Sequence, residues 1–192
     1  MKMTMLWLSA ALVLPTPLAA QIEPKTRPPS TVRQNDGVRP PAAQIRISNR
    51  AAVGEEAPGF ELTSASGAPV KFSRYRGGRV LLMFAERREE FSPYRAVAES
   101  LRADGVLLVG VCRESPRSLR LLAQRDSLRF ELLSDPTGEV AAIYGAFDTA
   151  NATTFPGYVL VGRQGIVRMV VLGQTLPPQH LLQLTRYTLV GL

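Results

Sequence analysis

The sequence predicts an α/β domain with a mixed central sheet flanked by helices on both faces. Two continuous apolar runs, residues 80–85 and 106–111, are each followed by a Ser-Pro pair and a helical repeat. A later pair of strand-like runs flanks a four-residue turn, and a last apolar stretch follows Pro177-Pro178. Strand-helix-strand-helix, then a hairpin and a closing helix, is an order that gives a parallel core with an antiparallel extension.

Each element has its own signal. Phe60-Glu61-Leu62-Thr63 is a short strand, and beyond the Ser66-Gly67 turn Val70-Lys71-Phe72 supplies its hairpin partner. Residues 74–78 form a polar turn with Gly77 and Gly78. Residues 80–85 are apolar without interruption, as a buried parallel strand should be. Ser92-Pro93 reads as an N-cap with Pro at the first helical position. Tyr94, Val97, Ala98 and Leu101 then recur at helical spacing to give one apolar face. Gly105 is placed to end that helix in a left-handed conformation. The unit repeats in residues 106–111 and the Ser115-Pro116 helix, whose Leu119, Leu122 and Ala123 face inward.

Residues 130–133 read as a short edge segment, Asp135-Pro136-Thr137-Gly138 as a turn, and 139–144 as a short helix ending at Gly145. Residues 158–161 and 166–172 are strands joined by Gly162-Arg163-Gln164-Gly165. The last helix opens at Pro177-Pro178 and runs to about residue 187, with Leu181, Leu182, Leu184 and Thr185 available for packing. Taken in order, these elements form a thioredoxin-like fold.

The chain has 192 residues, 45% of them hydrophobic and 20% charged, enough for one domain with a real core. Fifteen Gly and 15 Pro are too few for a fibrous or fully disordered chain. Residues 1–20 read as a secretory signal peptide: Lys2 supplies the positive start, an apolar stretch follows, and Leu18-Ala19-Ala20 offers a cleavage site. The alternative is an anchor that stays attached. Export is expected either way, to the periplasm or beyond it, with no membrane span left after cleavage. Residues 21–50 hold Pro24, Pro28, Pro29, Pro40 and Pro41 and no apolar period, which describes a Pro/Arg-rich flexible linker. A short strand could begin within residues 45–53. The domain proper is expected over 51–192.

Of the net charge of +7, residues 1–20 contribute +1 and residues 21–50 contribute +4, which leaves +2 for the globular part. Twenty of the 23 basic residues are Arg, a compositional bias more than a phosphate-binding cluster. Nucleic-acid binding is therefore not expected. One Cys, Cys112, cannot close a disulfide within the chain, and one His, His180, argues against a metal site of His and Cys ligands. No cofactor is implied.

Several segments together resemble a known family. Gly54-Glu55-Glu56-Ala57-Pro58-Gly59-Phe60-Glu61-Leu62 is similar to the opening of peroxiredoxins of the alkyl hydroperoxide reductase and thiol-specific antioxidant (redoxin) family. Residues 106–112 resemble that family's second core strand, which typically runs into a Ser where Cys112 stands. Residues 133–141, with Tyr144-Gly145, resemble its segment after the second helix, and 159–166 its closing hairpin. The likeness covers about residues 53–190.

The resemblance implies a peroxidase whose active segment carries a Pro, a Thr or Ser four residues on, and the peroxidatic Cys three further. A Cys in the first turn of a helix has its thiolate favoured by free N–H groups and the dipole. Alignment on Phe91-Ser92-Pro93 puts Arg88 at the Pro, Ser92 at the hydroxyl residue and Arg95 at the Cys. The family's distant Arg falls near Pro156. A guanidinium cannot form a sulfenic acid. Phe155-Pro156-Gly157 also resembles the cis-Pro loop of thioredoxins, although a Pro at a strand entrance explains it equally.

Three functions follow from these readings. The first is a non-catalytic, exported binding or assembly module that engages an unidentified protein of the cell envelope, self-association included. The second is an antioxidant or thiol oxidoreductase that uses Cys112 and an external resolving thiol. The third is another exported enzyme on the same fold. The stretch Glu86-Arg87-Arg88-Glu89-Glu90 reads either as a solvated loop of local ion pairs or, with Arg95, as an anion site at a helix start. His180 is expected on the surface.

Overall fold

The computed structural model describes residues 51–190. The expected signal peptide, the expected linker and most of the strand expected within 45–53 lie outside the described residues; 51–53 themselves form no strand.

The chain order is β1 (Glu61–Ser64), β2 (Pro69–Lys71), β3 (Arg79–Phe84), α1 (Arg95–Ala103), β4 (Val106–Cys112), α2 (Pro116–Arg125) and β5 (Glu131–Ser134). It continues through α3 (Glu139–Ile143), β6 (Phe147–Asp148), β7 (Thr153–Thr154), β8 (Gly157–Val161), β9 (Val167–Leu172) and α4 (Pro178–Val190). Seven strands form one sheet in the order β2-β1-β5-β4-β3-β8-β9, and β6 and β7 pair apart from it. β3, β4 and β5 are parallel, β1 and β8 beside them run antiparallel, and the edge strands β2 and β9 are antiparallel in turn to β1 and β8. This is the expected thioredoxin-like α/β arrangement.

The apolar runs build two cores because side chains of a strand alternate between faces. Leu81 and Met83 of β3 and Leu108 of β4 meet Val97, Leu101, Leu119, Leu122, Leu181 and Leu182 from α1, α2 and α4. Val80, Leu82, Phe84, Val109 and Val111 meet Val140 and Ala141 of α3, together with Phe72 and Tyr75. Each such side chain contributes about 1.5–3 kcal/mol on burial. Both faces of the sheet are thereby covered.

Two expectations are corrected. Residues 130–133 are not at an edge: β5 lies inside the sheet, because the β1–β2 hairpin docks beside it with Thr63 opposite Ser134. Ser92-Pro93 is not a helix start either. Residues 88–94 form a 3-10 segment with Pro93 inside it, and α1 begins at Arg95. By contrast Ser115 does cap α2, its hydroxyl accepting the Ser118 N–H at 3.2 Å with Pro116 next in sequence. Gly105, at φ +73°, follows α1 in the left-handed conformation expected of it. The β6–β7 hairpin has no clear sequence signal.

Candidate functional site

In open parallel sheets, chemistry gathers beyond the carboxyl ends of the strands. Here that place lies above β3 and β4, where residues 85–94 leave the sheet and α1 and α2 follow. Phe91 fixes this segment. Its ring is fully buried, packs edge-on to Phe130 at 6.4 Å, and lies over Gly110 of β4. A Cβ on Gly110 would stand 2.8 Å from the Phe91 ring and 2.7 Å from Leu132, so only a glycine admits the ring so close.

The polar residues beside Phe91 are tied to α2 and to one another. Ser92 donates its hydroxyl to the Asp126 carboxylate, which also takes two bonds from Arg125 at 2.7 and 3.0 Å. Those Arg125 bonds, with the Ser92 hydroxyl, bring the Asp126 carboxyl down to about 2. Arg88 donates to Ser118 and to Glu89 at 2.8 Å, and Ser118 donates onward to Glu114 at 2.8 Å. Arg87 pairs with Glu90 at 3.6 Å, and the Arg87 backbone N–H is taken by the same carboxylate.

Arg95 occupies the first position of α1 and is exposed. It borders a shallow basin with Ala96, Glu99, Ser127 and Arg129. The expected alternative of an anion site formed by Arg87, Arg88 and Arg95 is therefore not assembled. Two of its guanidiniums are neutralised by neighbouring glutamates, and Arg95 looks toward a different basin. The ion-paired loop is what forms.

Cys112 ends β4, as its sequence position suggested, but it points into the core. It is 1% exposed, among Ala85, Phe91, Tyr94, Leu119 and Leu132. Loss of hydration pushes its thiol up to about 12, outweighing a backbone N–H from Glu114 that acts the other way. Cys112 is thus enclosed in the core, whereas Ser92 turns its hydroxyl to Asp126.

Three further arrangements escaped the sequence reading. The Leu176 N–H donates to the Tyr158 hydroxyl at 3.1 Å, Tyr158 donates to Tyr94 at 2.7 Å, and Tyr94 donates back to the Leu176 carbonyl. This closed ring ties the entry of α1 to β8 and to the approach of α4. Tyr158→Phe removes the hydroxyl that serves both the half-buried Leu176 N–H and the buried Tyr94, and is expected to cost about 1–3 kcal/mol, read from urea unfolding midpoints at unchanged slope. Asp135, 1% exposed, accepts the Ala141 N–H at 2.9 Å and fixes the start of α3, its carboxyl raised first of all by burial. Arg113 lies over the Phe147 ring at 5.5 Å and donates to the Pro136 and Ala152 carbonyls, holding the β6–β7 hairpin against the sheet.

The remaining sequence candidates are structural. Pro156 precedes β8, its carbonyl accepting the Gly173 N–H, and no peptide bond among the described residues is cis. His180 is exposed at the start of α4. No group of three or more His, Cys, Asp or Glu that could hold a metal occurs among the described residues.

Comparison with known proteins agrees with this architecture. The model of the AhpC/TSA family matches residues 53–170. The chain belongs to the AhpC/TSA family. Among AhpC/TSA-type relatives, a putative peroxiredoxin of Mycobacterium tuberculosis is 30% identical over 106 residues, covering 52% of this chain and 68% of its own length. The chloroplastic peroxiredoxin Q of Sedum lineare is 29% identical over 153 residues, covering 73% of this chain and 81% of the relative. The crystal structure of peroxidoxin BcpB from Mycobacterium tuberculosis superposes with a TM-score of 0.65 at 22% identity, over 74% of this chain and 99% of that one. A PrxQ mutant of Xylella fastidiosa gives 0.64 at 13% identity, over 72% and 98%. These structures share the AhpC/TSA chain's thioredoxin-like fold.

Proposed function

We propose that this chain is an exported peroxiredoxin-like domain without peroxidase activity, serving as a binding or assembly module in the cell envelope. The observation that carries this reading is the burial of its one thiol, Cys112. A peroxide is attacked by a thiolate that it can reach. A thiol with its pKa at about 12 is ionised in roughly one molecule in 10⁵ at pH 7, and Cys112 is covered as well. Arg95 stands at the family's Cys position when the chains are aligned on Phe91-Ser92-Pro93. Other registers bring no sulfur either, because residues 86–97 contain none. Ser92, matched to the family's peroxide-holding hydroxyl, is engaged by Asp126. The apolar segment after Lys2 supports export.

One observation favours a second reading, antioxidant chemistry through Cys112: the residue lies at the carboxyl end of a central strand, in a family whose relatives bear peroxiredoxin names. The thiolate would take one peroxide oxygen, releasing water or alcohol and becoming a sulfenic acid. Two equivalents of an external thiol would then restore it, leaving as disulfide and water.

A single experiment separates the two. Purified protein is given hydrogen peroxide and dithiothreitol, and peroxide loss is followed beside mass spectrometry of Cys112. Peroxide loss within about twofold of the protein-free control, with Cys112 oxidised only after unfolding, is the expected result. Turnover that disappears in Cys112→Ser would reject the first reading and establish the second.

A further inference from the structure

We propose that the end of the sheet opposite the candidate site is a docking face for an anionic lipid surface. The topology brings separate arginines together there. Arg79 opens β3, and its neighbour Val80 lies opposite Val161, the last residue of β8, so the turn bearing Arg163 stands beside it. The Gly77 N–H donates to the Arg163 carbonyl at 3.2 Å, which places the Arg76 turn against the same point. The Arg168 side chain crosses Gly162, and the Arg79 guanidinium lies over Gly105, just beyond Arg102 at the end of α1. From α4, Arg186 reaches Asp104 at 2.7 Å.

Six guanidiniums, of Arg76, Arg79, Arg102, Arg163, Arg168 and Arg186, thus gather at one end of the sheet with three carboxylates, Glu55, Glu56 and Asp104. The neighbouring Arg74–Glu131 pair adds no net charge. The Arg76–Glu56 pair is two-thirds exposed on both sides and leaves most guanidinium donors open to water. By contrast, the other end has its arginines 87 and 88 matched to Glu90 and Glu89.

A second observation selects lipid as the occupant. α4 ends at this same face, and beyond Arg186 it leaves Tyr187 81% exposed and Val190 88% exposed. An aromatic ring and an aliphatic side chain exposed within four residues of Arg186 match the headgroup boundary of a bilayer, where rings and short apolar groups enter and cations meet phosphates. The arginines come from two turns, two strand starts and two helices, and enclose no groove for an extended peptide. Among the described residues this face carries no row of aromatic rings for stacked bases. No helix among the described residues is long and apolar enough to cross a membrane.

The test uses the full chain, so that residues 1–50 are the same in every variant. Sedimentation measures binding to vesicles of phosphatidylglycerol and phosphatidylcholine in about equal parts, and to phosphatidylcholine alone. Arg79→Glu/Arg163→Glu should weaken binding to the mixed vesicles at least about tenfold, whereas Arg87→Glu/Arg117→Glu, which reverses as many charges in the loop after β3 and at the exposed start of α2, should leave it within about twofold. Tyr187→Ser should weaken it about threefold. Should the reversed variant unfold, Arg79→Gln/Arg163→Gln replaces it, with a loss of about fivefold expected. Equal binding by the wild type and a folded patch variant overturns the proposal, as does equal affinity of the wild type for both vesicle types. So does capture of a polyglutamate peptide without vesicle binding, which would make the partner an acidic protein.

Discussion

Truncation of Phe91 to Ala is expected to lower the unfolding free energy by about 3–5 kcal/mol, measured by urea titration. The ring is fully buried, touches Phe130, and occupies the space that the missing side chain of Gly110 leaves open on β4. Few of its neighbours can close the gap, because the sheet beneath is held by ladders on both sides of β4. The converse change tests the same contact. Gly110→Ala drives a methyl to within 3 Å of both Phe91 and Leu132 and should cost about 1–3 kcal/mol. In the Phe91→Ala background one of those clashes is gone, so the double variant should be more stable than the sum of the two losses implies, by at least about 0.5 kcal/mol. Strict additivity would mean that the ring does not sit on Gly110. The consequence reaches the polar side of the segment, since the ring that fills this gap also sets Arg88 and Ser92 against α2.

The same dipeptide shows what sequence could and could not convey. Ser115-Pro116 and Ser92-Pro93 carry identical capping signals, yet only the first opens an α-helix. Ser115 lies three residues beyond the end of β4, stays extended at φ −65° and ψ 153°, and its hydroxyl is free for the Ser118 N–H. Ser92 lies one residue past the Phe91 anchor, already within a 3-10 turn, and its hydroxyl is drawn off by Asp126, distant in sequence. The strands β3 and β4 were legible because long apolar runs between turn signals admit few readings. That β5 lies inside the sheet was not, since a four-residue strand says nothing of which hairpin will dock beside it. Cys112 divides in the same way: its place at the end of β4 was readable, but a strand buried on both faces does not tell which way a side chain points. The Tyr94–Tyr158–Leu176 ring and the Arg113 clamp join residues far apart in sequence and leave no local pattern.

The orientation of Cys112 has a thermodynamic consequence that does not depend on any assay of activity. An unfolded cysteine ionises near pH 8.5, while burial holds the folded thiol up to about 12. Below pH 8.5 both states keep the proton and the full stability is present. Between about pH 8.5 and 12 the unfolded state releases its proton and the native state does not, so the unfolded state binds fewer protons and stability must fall as pH rises. From pH 8 to 10 this one group should remove about 1.5–2 kcal/mol. Buried Tyr75, Tyr94 and Tyr144 are shifted in the same direction and add to the loss, chiefly above pH 10 where an unfolded tyrosine ionises. Cys112→Ala separates the contributions. The cavity it leaves shifts stability by an amount independent of pH, so only the slope matters: between pH 8 and 10 the variant should lose about 1.5–2 kcal/mol less than the wild type. Parallel curves would mean that the folded thiol ionises as freely as the unfolded one. That result would return Cys112 to the surface as a nucleophile, and the antioxidant reading would then displace the binding module.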